Sequence, residues 1–396
     1  MSEYQHYEFQ AIDRPLNEQQ QAYVRSLSRR VEMTPSHAKF TYSYGDFPAN
    51  PFAVLEAHFD ALLYEANWGS KRLAFRFPRA AIDLQPLMPY YFGVEDISLT
   101  TSEQHVILDF DFNEEGGGGW IEEESSLGSM VLLRQDILRG DLRALYLAWL
   151  KAAPRVNDWD DELYGADDED DDPDSAEPDE GDSLREPPVP AGLGQLSAPL
   201  QAFAAFFEID IDLIAAAAEA SPPLDQAADE VERWVPLLSE AERNVFLVRV
   251  ARGEPLVDVQ LIRRLREVGG KSSPAAPAPV TERRTIAELL EAAEQRKQLR
   301  KKREREEAQR ARLRQLEALA RREPVAWVQV KQLIERKNAS AYDEAVALLV
   351  DLRDLASHRR EQARFDERIA ALQSEYAKRP ALLERFCTAG LIKASR

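Results

Sequence analysis

The sequence predicts an α+β amino-terminal domain followed by all-α segments: a small helical domain, a long charged helix and carboxyl-terminal helical hairpins. Three observations lead there. Strict two-residue alternation, as in residues 4–12 and 105–112, occurs only before about residue 153. Beyond residue 190 the apolar residues recur at helical spacing instead. Residues 281–322 hold no Gly or Pro over 42 positions, and as one helix they would span about 60 Å at 1.5 Å per residue.

The first domain comprises residues 1–153. Residues 4–12 place Tyr7, Phe9 and Ala11 on one face and His6, Glu8 and Gln10 on the other, the pattern of a half-buried strand. Asn17 N-caps a helix to about Arg29, with Tyr23, Val24 and Leu27 on its apolar stripe. Residues 31–34 and 39–44 read as strands. Asn50-Pro51 opens a helix with proline in its first turn. That helix is expected to reach Asn67, burying Phe52, Leu55, Phe59, Leu62 and Leu63. Residues 73–77, 97–101 and 105–112 are further strands, the last alternating Val106, Leu108, Phe110 and Phe112 against Ile107, Asp109 and Asp111. Gly116 to Gly119 form a turn too flexible for a regular element. Residues 130–133 and 141–151 close the domain as helix, and the mixture of elements implies a sheet covered by helices.

Residues 154–189 read as a disordered acidic linker. Between Asn157 and Glu186 sixteen Asp or Glu stand against one Arg, with almost nothing apolar to offset the entropy of ordering. Residues 190–268 form the small helical domain. Its marks are a stripe of Leu200, Phe203, Phe206 and Phe207, a break at Ser221-Pro222-Pro223, and a capping box of Ser239 with Glu242. A Ser/Pro/Ala linker, 269–281, precedes the charged helix, 282–322. Past Pro324 the carboxyl-terminal module, 324–396, holds four short helices near 327–335, 342–356, 365–376 and 380–389, with Gly390 as a C-cap.

The opening Tyr4-Gln5-His6-Tyr7-Glu8-Phe9-Gln10-Ala11-Ile12-Asp13-Arg14-Pro15-Leu16 resembles the amino terminus of a family of uncharacterised bacterial proteins. Ala66-Asn67-Trp68-Gly69 and Gly140-Asp141-Leu142-Arg143-Ala144-Leu145-Tyr146-Leu147 are further landmarks of that likeness. It covers about the first 270 residues and implies no activity. The stretches Tyr342-Asp343-Glu344-Ala345-Val346-Ala347-Leu348-Leu349 and Arg379-Pro380-Ala381-Leu382-Leu383-Glu384-Arg385-Phe386 resemble the helical tails of bacterial SWIM zinc-finger proteins. The zinc motif of that family needs three Cys and one His, which Cys387 alone does not supply. What the likeness implies is a helical-hairpin scaffold.

Composition narrows the chemistry. The single cysteine, Cys387, excludes an internal disulfide, fits a reducing compartment and reads as a small buried hydrophobe. No apolar run reaches the ~18–20 residues of a membrane span, and the amino terminus lacks the basic and apolar stretches of a signal peptide. A cytoplasmic chain without a membrane partner is therefore expected. His6, His37, His58 and His105 show no metal-ligand spacing, so no metal and no cofactor are expected. The paired carboxylates Asp109 and Asp111 lie two apart on a strand, on one face, with Glu114 and Glu115 downstream. That is the one arrangement suited to a metal-dependent or acid/base site.

The formal charge of −20 conceals a basic segment: Arg296 to Arg314 holds ten Lys or Arg and three Glu. Arg296, Lys297, Arg300, Lys301, Lys302, Arg303, Arg310 and Arg314 are the candidate nucleic-acid-binding residues. Its flanks, Ile286-Leu289-Leu290-Ala293 and Leu313-Leu316-Ala320, have the spacing of a packing seam through which the chain would self-associate or form a hairpin. The acidic linker is a candidate electrostatic mimic for this basic helix. The leading reading is a non-enzymatic adaptor or scaffold holding an unidentified protein partner on its α+β and carboxyl-terminal modules. The alternative is a nucleic-acid-associated accessory protein, and the third a metal-dependent hydrolase at Asp109 and Asp111.

Overall fold

The computed structural model describes residues 3–91, 94–113, 126–164, 185–224, 228–270 and 283–392. The glycine run 116–119, Glu114, Glu115, most of the acidic linker and residues 271–280 of the second linker lie outside the described residues. The chain divides into two compact units, Met1–Lys297 and Gln298–Arg396.

The first unit is built on a seven-stranded antiparallel sheet. Its strands are β1 (Tyr4–Gln10), β2 (Glu32–Thr34), β3 (His37–Ser43), β4 (Ala61–Ala66), β5 (Ser70–Pro78), β6 (Ile97–Thr101) and β7 (His105–Asn113), in the order β2-β3-β1-β4-β5-β7-β6. Helices α1 (Glu18–Leu27) and α2 (Pro51–His58) cover one face. Asn17 caps α1 in a full capping box, and Asn50 caps α2 with proline in the first turn. Val24, Val54, Leu55 and Phe59 meet Phe9, Phe40, Leu62, Ala74 and Ile107 in the core on this side.

The other face carries a larger core. After the short α3 (Met88–Tyr91) come α4 (Leu132–Leu138), α5 (Arg143–Tyr164), α6 (Ala198–Phe206) and α7 (Ile211–Ala218). Trp149, Leu145, Phe203 and Phe207 pack there against Leu73, Phe75, Leu108 and Phe110. Helices α8 (Ala228–Trp234) and α10 (Val257–Val268) add a satellite core of Trp234, Leu238 and Leu265, and α9 (Glu240–Ala251) packs against α10.

Three expectations change. The helix expected to Asn67 stops at His58, and 61–66 is the strand β4 between β1 and β5. Leu62 and Leu63 are both buried on opposite faces, and a strand covered on both sides reads as a continuous apolar run. For the same reason β1 is not half-exposed: His6 and Glu8 are buried because the second face is covered too. The segment 190–268 is not self-contained, since α6 and α7 share the sheet's core.

The acidic linker is also shorter at both ends than its composition suggests. Helix α5 continues to Tyr164, anchored where Arg155 donates to Asp96 at 2.9 Å. Glu186 is buried, accepting from the Tyr146 hydroxyl and from Arg284 at 2.8 and 2.7 Å. Arg185 bridges Thr285 beside it. A buried carboxylate needs such partners, and here they come from 40 and 98 residues away, beyond any local pattern. A second buried network joins Arg134 to both oxygens of Asp13 at 2.8 Å, while Asp60 accepts from Arg76 and from the amides of Ile12 and Asp13.

Helix α11 (Ile286–Arg321) is 36 residues long, or about 54 Å. In the first unit Ile286, Leu289 and Ala293 enter the sheet's core. In the second, Leu316 and Leu319 pack with α12 (Glu323–Glu335), α13 (Ala339–Arg359), α14 (Gln362–Glu375) and α15 (Pro380–Thr388) around Val330, Leu349, Phe365 and Phe386. The seams expected to support self-association are thus used inside each unit, with Leu313 left partly exposed. Gly390 follows α15 at a positive φ of 65°, where a side chain would be strained. No described helix is long and apolar enough to cross a membrane.

Candidate functional site

Asp109 and Asp111 do share a face of β7, the face that carries Ile107, and the register sets Arg72 of β5 opposite Asp111. Arg72 bonds Asp111 through Nη2, and its Nε lies 3.3 Å from Asp109 Oδ1. Both of those facing atoms are buried without an aligned hydrogen bond, so the Arg72–Asp109 contact is mainly one of charge. Burial pushes the Asp109 carboxyl up to about 7, against the pull of Arg72 and with a further push from Asp111. The guanidinium occupies the space between the two acids that a metal ion would need. Among the described residues no group of three or more His, Cys, Asp or Glu is placed to hold a metal.

The histidines are dispersed. His6 is buried in β1; His37 Nε2 sits 2.7 Å from Glu8 Oε1, while Glu8 Oε2 accepts from the Leu127 amide at 2.8 Å as a structural tie. His58 packs its ring 4.9 Å from Tyr23, and burial with the nearby Arg76 lowers its pKa. His105 opens β7, its pKa lowered mainly by burial. Cys387 is half-buried in α15 rather than fully enclosed.

The candidate cations divide into paired and unpaired sets along α11. Arg296 bonds Glu219, Lys297 lies 3.5 Å from Glu294, Arg300 donates to Glu304 at 2.9 Å, and Arg310 is 3.8 Å from Glu306. Arg312 is drawn to α13, donating to Asp351 at 2.7 Å and Asp354 at 2.6 Å. Lys301, Lys302, Arg303, Arg305 and Arg314 are exposed and have no ion-pair partner among the described residues. Every residue from Lys301 to Ala311 is exposed.

The sequence reasoning missed a second surface, on α9. Ser239 and Glu242 form the expected capping box, so the helix starts where composition says it should. Its half-buried positions are mostly charged: Glu242, Arg243 and Arg249, with Phe246 beside them. Glu242 pairs with Arg264 at 2.9 Å, and Arg249 with Glu254 at 2.8 Å. Its aliphatic residues are exposed, Val245 by 56%, Leu247 by 65%, Val248 by 47% and Val250 by 58%. Leu237, just upstream, is 58% exposed. The available signal was five large apolar residues within 245–250, more than one packed face of a short helix accommodates.

No protein-family model matches the chain, and no curated protein or solved structure matches it either.

Proposed function

We propose that the protein is a non-enzymatic adaptor that holds a protein partner on the apolar face of α9. The observation that carries this reading is that four of the five large apolar residues of that helix are exposed, while its half-buried positions include the salt-bridged Glu242 and Arg249. Exposed apolar side chains gathered on one element mark interaction surfaces in soluble proteins, and Val245 with Val248, one turn apart, gives α9 an edge that suits a groove or a second helix. The first unit also supports it by its rigidity, since both faces of the sheet are covered and the helices share its core.

The test is recovery of the tagged full-length chain from its native host after nuclease treatment. A partner protein is expected in stoichiometric yield with the native chain and absent from the Val245→Glu/Val248→Glu variant. Both positions are exposed, so the variant retains its fold, checked by circular dichroism. Equal recovery with both chains would remove α9 as the docking face, and no partner with either would remove the adaptor reading.

A further inference from the structure

We infer that one face of α11 in the second unit is a binding stripe for the phosphate backbone of nucleic acid. This goes beyond the adaptor reading and uses a different surface. The stripe comprises Gln298, Lys301, Lys302, Arg305 and Gln309, which line a shallow hollow together with Glu306. At 3.6 residues per turn these five residues fall within about 100° of one another and run about 16 Å along the axis. All five are exposed.

Three features separate the stripe from an ordinary solvated helix. First, its three cations are not neutralised: no described carboxylate pairs with Lys301, Lys302 or Arg305. Second, the nearby acids are spent elsewhere. Glu304 takes Arg300, and Glu306, at the stripe's edge, takes Arg310. The remaining positions, Gln298 and Gln309, bring amide donors rather than charge. Third, the surrounding unit is basic. Residues 298–396 hold 23 Lys or Arg and 15 Asp or Glu, net +8, whereas residues 1–297 hold 27 against 55, net −28. An unpaired line of cations on a basic unit raises the local concentration of a polyanion. Lys and Arg heads at this spacing match a chain of phosphates better than a single anion does. Nothing in the stripe reads base edges, so the contact is independent of sequence.

The test uses the full chain and a fluorescein-labelled 20-mer, single-stranded and duplex, followed by anisotropy between 50 and 200 mM NaCl. Three neutralised phosphates give a log–log salt slope of about −2.7 on duplex and about −2.1 on a single strand. On duplex that is a loss of about 40-fold in affinity across the range. Lys302→Gln/Arg305→Gln is expected to lower affinity more than tenfold at 50 mM and to reduce the duplex slope by about 1.8. Arg303→Gln/Arg314→Gln removes the same charge from the opposite side and is expected to change affinity less than threefold. Equal losses in the two variants would replace the stripe with diffuse charge attraction. No binding at 50 mM, or tighter binding of a poly-glutamate peptide than of either oligonucleotide, would overturn the assignment to nucleic acid.

Discussion

Asp109 carries its carboxylate into a buried position with Arg72 of β5 as its cationic neighbour and Asp111 as its acidic one. Ser98 of β6, opposite in register, adds no charge. Burial raises the folded pKa to about 7, against about 3.9 for an unfolded aspartate. A raised acid favours the folded state while protonated. Its contribution is therefore whole below about pH 4, is lost as pH climbs through 7, and is flat above. The ceiling on that loss is about 4 kcal/mol from three pH units. Asp109→Asn removes the ionisation and leaves Arg72 its bond to Asp111. The variant is expected to be more stable than the native chain by roughly 1–3 kcal/mol at pH 8. Near pH 4 the two should be about equal, as urea unfolding at each pH will determine. An equal difference at both pH values would show that packing, not ionisation, sets the effect. The sequence showed that the two acids share a face, because a strand's period is two. It did not show Arg72 between them, because that depends on the register of β5 against β7.

Among elements, those marked by a cap or by alternation were the most legible. Helices α1 and α2 began where their caps are, β7 lay where alternation placed it, and β5 and β6 fell at their expected positions. Strand β4 was lost to a helix because Leu62 and Leu63 are buried on opposite faces, which erases alternation. Helix α9 was placed correctly, but four of its five large apolar residues are exposed while Glu242, Arg243 and Arg249 are half-buried. Periodicity alone does not say which side of a helix meets the core. The satellite core between α8 and α10 is small, which makes it sensitive at Gly269. A Cβ there would lie 2.4 to 2.7 Å from the Trp234 indole, one of three buried residues in that cluster among the described residues. Gly269→Ala must push the ring aside, at a cost of about 1–3 kcal/mol for overpacking. Hydrogen exchange is expected to quicken in α8 and α10 and stay unchanged in the strands of the sheet. Quickening throughout the first unit would mean that the satellite core and the sheet unfold together.

At the scale of the whole molecule, the separation of charge was readable from sequence, but the boundary was not. Composition marks a break at the acidic linker; the division falls within α11, because its first turns complete the sheet's core and its last turns complete the helical one. Two cores of opposite net charge should respond differently to salt. The first unit, at −28, repels itself, and screening that repulsion favours its compact state. The second, at +8, is laced with ion pairs such as Arg312–Asp351, Arg359–Glu323 and Arg379–Glu335, whose attraction salt weakens. Raising NaCl from 20 to 500 mM is expected to lift the melting transition of the first unit by roughly 2–4 °C, equivalent to about 1 kcal/mol. The transition of the second should stay or fall, so calorimetry resolves two events whose separation changes with salt. Residues 165–184 hold eleven acidic and no basic residues, and their deletion should shrink the upward shift without moving the other transition. A single transition at every salt concentration, or two that rise together, would mean that stability is governed by contacts common to both units rather than by the charge of each.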